Sequence, residues 1–474
     1  MHKRFNKGRF LFVIGLFFLN TVLFTQCRKK QEEEKPQIIE EHEELSGGDA
    51  TTFDASLNAF GNFAPNLGEE DKFVVGNSFF RNNWVIAPSS TTARDGIGPL
   101  FNSYSCSGCH SDDGRGKPPL SATEDLSSMI IRLSLPGTGI HGAPIPVPNY
   151  GDQLSNKAIP GVIIEGKVQV TYTEEAGYYD DGTQYSLRVP HYTFYNLGYG
   201  AMPANFLFSP RVAPQLPGLG LLEAVDEGTI LSFADPSDAN GDGISGKPNY
   251  VWDAKQQKNV MGRFGWKANQ PSVRQQTAAA FQGDMGITSG LFPEDNFNGT
   301  QVSLYDTLPN GGNPEISGET FENVAYYSAT LAVPARRNWK EPQVLLGKQV
   351  FTEAQCSSCH IPSMKTGANA TIAGFSNQKI RPYTDLLLHN MGAGLADGRP
   401  DFLANGQEWR TPPLWGIGLL KTVNGHTFLL HDGRARNFEE AILWHGGEAE
   451  KAKNYFKKLK KEDRDALIKF LQSL

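Results

Sequence analysis

The chain carries Cys106-Ser107-Gly108-Cys109-His110 and, much later, Cys356-Ser357-Ser358-Cys359-His360. A C-x-x-C-H run is the attachment signal for c-type haem. Two thiols at this spacing add across the two vinyl groups of one porphyrin, and the following histidine is set to bind the iron from the proximal side. Paired C-x-x-C runs also bind zinc, and that is the competing reading. Zinc pairs lie close in sequence, whereas these are separated by most of a domain. Histidine is scarce, 10 residues in 474, yet one follows each pair at once. Two covalent haems are therefore expected, and they take four of the five cysteines.

The fifth cysteine gives an address. A basic start, Met1 to Arg9, leads into an apolar run from Phe10 to Phe24, then Thr25-Gln26-Cys27. This is the pattern of a secretory signal. Cysteine at its end resembles a bacterial lipoprotein cleavage site, although Thr-Gln departs from the usual small residues. Residues 1–27 are read as a lipoprotein-type signal segment with Cys27 lipidated; the alternative is an uncleaved anchor. Residues 28–51 read as a flexible charged tether, rich in Lys and Glu and nearly free of aromatics. The body is thus expected in the periplasm or at the cell surface. No other long apolar run occurs. A net charge of −7, partly from the tether, gives no case for nucleic acid.

The rest of the chain is organised by the two motifs. Asp95-Gly96-Ile97-Gly98-Pro99-Leu100-Phe101 precedes the first, and Leu346-Gly347-Lys348-Gln349-Val350-Phe351 the second. In a cytochrome c domain an N-terminal helix ends at the motif and a C-terminal helix packs across it. The last segment fits that second helix, with Ala466, Leu467, Phe470 and Leu471 on one face. The fold is expected to be mainly α: two cytochrome c-like domains with long irregular loops and short β insertions. Residues 52–330 form the larger first haem domain and 331–474 the second. Val162 to Tyr172 alternates like short strands.

The phrases Gly262-Arg263-Phe264-Gly265-Trp266-Lys267-Ala268, Tyr383 to His389, Glu408 to Gly416 and His431-Asp432-Gly433-Arg434-Ala435 resemble the di-haem oxidoreductase, putative peroxidase family, also labelled thiol-oxidoreductase-like. More distantly the chain is similar to bacterial di-haem cytochrome c peroxidases. The resemblance implies division of labour: one haem holds an electron and the other reduces hydrogen peroxide or a related oxidant. Where those peroxidases place a distal methionine, this chain has His445, which implies His360/His445 ligation and a lower potential than His/Met. The alternative is a surface histidine. For the first haem the distal candidates are His141, His191 and Met202, with His141 favoured by its loop position. Glu223 in an apolar run is the candidate proton-transfer carboxylate, or else a helix cap. Trp266 is expected between the haems, or in the core. Asp238, Asn240 and Asp242 suit calcium, or else form a plain Asx-rich turn. The implied partners are an external electron donor (a small cytochrome, a cupredoxin or a quinol-linked protein), a small-molecule oxidant, and the membrane through the lipid. The competing class is a non-catalytic di-haem electron-transfer protein. The thiol-oxidase label lacks a redox cysteine pair once both haems are attached.

Overall fold

Two helix crossings frame the chain. The computed structural model describes residues 39–474 except Asp306; the expected signal segment, Cys27 and the start of the tether lie outside the described residues. The framing helices are α1 (Glu70–Arg81), α2 (Val273–Met285), α3 (Gly318–Ala329), α4 (Pro342–Glu353), α5 (Phe438–Trp444), α6 (Glu450–Lys458) and α7 (Lys461–Ser473). Helix α1 crosses α3, and α4 crosses α7. At each crossing a glycine of the first helix meets the backbone of the second: Gly76 lies on Asn323, and Gly347 on Ala466. A β-carbon at either glycine would overlap the facing carbonyl.

One helical turn later the match continues. Phe80 packs on Tyr327 and Phe351 on Phe470, with ring centroids 5.1 Å apart in both pairs. The same phenylalanines face the motif histidines, Phe80 at 6.4 Å from His110 and Phe351 at 6.3 Å from His360. The helices start where the sequence lets them. Ser272 and Ser317 accept the amides of Gln275 and Thr320 through their hydroxyls at 3.1 Å, and Pro342 opens α4. On α7, Ala466, Leu467, Phe470 and Leu471 are all buried, as the helical spacing predicts. Each large apolar side chain buried in this way contributes about 1.5–3 kcal/mol.

The phrase before the first motif is a correction. Asp95–Phe101 is not a helix; Gly96 and Gly98 have positive φ, and only Leu100–Phe101 forms a short strand. The counterpart of Leu346–Phe351 is Val75–Phe80, on α1. Residues 82–105 intervene before the first motif, whereas only Ala354 and Gln355 separate α4 from the second.

The fold class is also corrected. Helix accounts for about 30% and strand for 18%, so the composition is mixed rather than mainly α. The strands used below are β1 (Met129–Ser134), β2 (Lys167–Tyr178), β3 (Gln184–Tyr195), β4 (Leu207–Val212), β5 (Leu388–Asn390) and β6 (Glu408–Arg410). They pair antiparallel as β1–β4, β2–β3 and β5–β6, and every sheet is two-stranded. The alternation from Val162 marks a strand that begins only at Lys167, with Val168 and Val170 facing the core. Its hairpin partner β3 roughly doubles the expected strand content.

The β2–β3 hairpin belongs to the first half and grips the second. At its tip Tyr179 donates to Glu439 at 2.5 Å, and Arg464 of α7 pairs with Asp181 at 2.8 Å. Arg188 donates to the Gly433 carbonyl at 2.8 Å. Residues 38–474 accordingly form one compact unit. The expected tether is shorter than 28–51. Glu43 is 1% exposed, with ion pairs to Arg336 and Lys348, and Thr51–Thr52 pairs in parallel with Val333–Pro334. Acidic residues that look solvating in sequence here meet buried cations.

Candidate functional site

Both motifs fold as a single tight turn. Cys106–Gly108 and Cys356–Ser358 are 3-10 turns, and the following histidine amide returns to the first cysteine's carbonyl, His110 at 2.9 Å and His360 at 3.0 Å. The four cysteines are free. Burial raises their thiol pKa values, to about 12 at Cys109 and Cys356, so they are held as neutral thiols. The pairs do not converge on one metal position. Among the described residues the group able to hold an ion is Cys359, Asp385 and His389. That His389 is already committed: Nε2 meets Asp385 at 2.8 Å and Nδ1 meets Glu448 at 2.7 Å.

The motif histidines match as closely. Nδ1 of His110 bonds the Pro214 carbonyl at 2.8 Å, and Nδ1 of His360 bonds that of Tyr383 at 2.9 Å. Burial lowers both pKa values to about 4, which keeps the rings neutral. A neutral ring donating from Nδ1 leaves the Nε2 lone pair for a metal. His445 is prepared in the same way. Its Nδ1 meets the Ala441 carbonyl at 2.6 Å, and burial lowers its pKa. It lies near enough that a charge on it disfavours one on His360.

The first motif opens on a cavity of about 190 Å³. Cys106, Cys109 and His110 line one part of it. Helix α2 presents a stripe along another: Val273, Gln276, Thr277, Ala280 and Asp284. His110 is the one histidine among the lining residues. The distal candidates lie elsewhere. His141 is exposed and stacks on Trp252, 3.6 Å between centroids and 5° between planes. His191 is exposed on β3 and bonds Thr173 at 2.8 Å. Met202 is not among the lining residues; it packs at the edge of the apolar cluster that includes Trp266.

Glu223 is likewise outside the lining. Its carboxylate accepts the Val273 amide at 3.0 Å and so caps α2, while burial raises its pKa. At the other end of the same helix Asp284 does face the cavity. Gln153 donates to its Oδ1 at 2.8 Å, and burial raises its pKa. The sequence signal for Asp284 is its helical spacing from Gln276, Thr277 and Ala280 on one face of α2. Trp266 lines the cavity, 7% exposed; its indole donates to the Val212 carbonyl at 2.9 Å, and the Arg115 guanidinium lies 4.9 Å from its ring.

Four arginines that sequence reasoning passed over also line the cavity. Arg132 and Arg211 have carboxylate partners, Asp152 and Asp401, each at 2.9 Å. Arg115 and Arg410 do not: they donate to main-chain carbonyls, Phe428 and Leu430 for the former, Gly265 and Thr411 for the latter. Burial lowers them to about 9 and 10, opposed by the nearby charges of Asp432 and Asp385. A buried guanidinium without a contacting anion favours an arriving carboxylate. Haem brings two. The cavity's residues therefore fit the group that the motif calls for.

The acidic loop is self-contained. Asp238 accepts the Gly243 amide at 3.1 Å, Asn240 that of Asp242 at 2.8 Å, and the Lys451 ammonium sits on the Asp242 carbonyl at 2.5 Å. The His431–Ala435 phrase is buried between the halves. His431 stacks on Trp409 at 3.7 Å, and Asp432 pairs with Arg434 at 2.8 Å.

Compared with known families, residues 41–474 match the one described as "Di-haem oxidoreductase, putative peroxidase". The chain belongs to this family. Family membership implies haem cofactors and places the chain among oxidoreductases. No curated protein matches. A solved structure, Kuenenia stuttgartiensis hydrazine synthase pressurized with 20 bar xenon, is similar at 13% identity with a TM-score of 0.33. The match covers 86% of this chain and 95% of that one. Among the described residues no helix is long and apolar enough to cross a membrane.

Proposed function

We propose that this member of the family carries two covalent c-type haems and reduces hydrogen peroxide or a related small oxidant with electrons from an external donor. The contrast between the two motif histidines carries this reading: His445 accompanies His360, whereas His110 borders a cavity lined by no second histidine. Cys106 and Cys109 would hold one haem through thioethers and Cys356 and Cys359 the other, with His110, His360 and His445 as iron ligands. Arg115 and Arg410 would meet propionates. A bound haem supplies one-electron chemistry and, where an iron position is free, a place for the oxidant.

The protein's own part is proton handling and insulation. Asp284 has one oxygen fixed by Gln153, leaving the other to take a proton from the oxidant and return it to the departing oxygen. Gln276 and Thr277 on the same stripe offer hydrogen bonds beside it. Trp266 stands in the cavity wall as a candidate bridge for the electron. We further propose a lipid at Cys27, a periplasmic or cell-surface location, and a small cytochrome, cupredoxin or quinol-linked protein as donor. Calcium at Asp238–Gly243 has no part in this reading, because the loop's own amides and Lys451 occupy its oxygens.

The test is peroxide consumption by purified holoprotein, poised with one haem reduced and an artificial donor present, while the visible spectrum is recorded. Fast turnover with loss of a high-spin band is expected. Two low-spin haems indifferent to peroxide would overturn the peroxidase reading in favour of an electron carrier.

A further inference from the structure

Arg410 lines the cavity of the first motif from a strand of the second half. It lies on β6, opposite Leu388 of β5, and its amide donates to the Trp266 carbonyl at 2.9 Å. Its Nε holds the Gly265 carbonyl at 2.9 Å, and Nη1 that of Thr411 at 3.2 Å. The Thr411 carbonyl also accepts the Thr384 hydroxyl at 2.6 Å. On one side, then, Arg410 lines the cavity of the first site. On the other it approaches the surroundings of the second. Asp385, next in chain to Thr384, is bonded to His389, whose Nδ1 lies 3.5 Å from Cys359 Sγ. The charge of Asp385 reaches Arg410, Cys359 and His360 alike.

We infer that Arg410 is a cation shared by the two redox sites: it binds a haem carboxylate and raises the reduction potential of both centres. The inference rests on the two-haem reading above. The other cations of the cavity are differently placed. Arg132 and Arg211 each already contact a carboxylate. Arg115 is held by Phe428 and Leu430, away from Asp385 and Cys359. Arg410 alone among these four combines the lack of a contacting carboxylate with a link, through the Thr411 carbonyl, to the Thr384–Asp385 segment of the second half. A positive charge in a low-dielectric partition favours the reduced, more negative form of a centre on either side.

The experiment is a spectroelectrochemical titration of the holoprotein and its R410Q, R410K and R115Q variants, with haem counted per chain. The two waves are assigned from variants lacking one cysteine pair. R410Q should lower both midpoints by at least tenfold in the reduction equilibrium, which is 59 mV for one electron. R410K should recover most of each shift, and R115Q should move the His110 centre only. A shift at one centre alone, or at neither, overturns the assignment while leaving the two-haem reading intact. If R410Q fails to retain haem, D385N takes its place. Removing that anion should raise both midpoints, and movement confined to the His360 centre overturns the assignment. An unsubstituted protein without haem refutes the underlying reading and this inference together.

Discussion

The two halves share one frame and differ in what was inserted into it. Each has a glycine-centred helix crossing, an aromatic pair one turn on, and a motif histidine tied through Nδ1 to a main-chain carbonyl. The second half is short and adds His445 beside its histidine. The first carries the segment before the motif, the β2–β3 hairpin and α2, and opens a cavity instead. An identical frame can thus serve an enclosed site or an accessible one, and the choice lies in the insertions.

The comparison is broken most severely at the cysteines. Replacing Cys356 and Cys359 by serine should halve the haem count, and replacing Cys106 and Cys109 should halve it and also abolish peroxide reduction. Intact mass and the pyridine haemochrome read both. Next comes the contrast within α2. D284N should slow peroxide turnover about 10²–10⁴-fold, the usual range for a lost acid–base group, with an unchanged visible spectrum. E223Q should leave turnover largely intact and weaken the helix cap by about 0.5–2 kcal/mol, seen as a lower melting temperature. Third, G76A and G347A should be equally damaging, about 1–3 kcal/mol each, because both add a methyl group against a carbonyl. Unequal denaturant midpoints would mean that the two crossings are not equivalent.

The smallest effect is a pH dependence at Glu448, in the second half. Burial raises the pKa of Glu448, but hydrogen bonds from His389, Asn390 and Ser245 outweigh it and lower it to about 2, from 4.5. A carboxylate depressed on folding contributes stability above its unfolded value, and that contribution is lost as pH falls from about 4.5 to about 2. E448Q should flatten this part of the acid-unfolding curve.

What the sequence made legible was local. The motif turns follow from five consecutive residues, and the α7 face from a repeat within one helix. His445 was found by its place in a family phrase. The misreadings all involve distance along the chain. Helix α1 was missed because residues 82–105 separate it from its motif, so a nearer glycine phrase took its place. Glu223 stands out in an apolar run, but only packing shows that its carboxylate caps α2 while Asp284 on that helix faces the cavity. His141 has the right residue type in a suitable loop, but its ring lies on Trp252. The arginines announce nothing locally: their meaning depends on whether a carboxylate from a remote segment meets them, as at Arg132, or does not, as at Arg410.

The hairpin clasp has a consequence for timing. With Tyr179 and Asp181 fastened to Glu439 and Arg464, the two halves are tied together within one compact unit. On the two-haem reading, the spacing between the two centres is set by this clasp, and electron passage between them needs no hinge to open or close. Turnover, on that reading, is paced by arrivals from outside: a donor meeting the surface, or an oxidant entering the cavity.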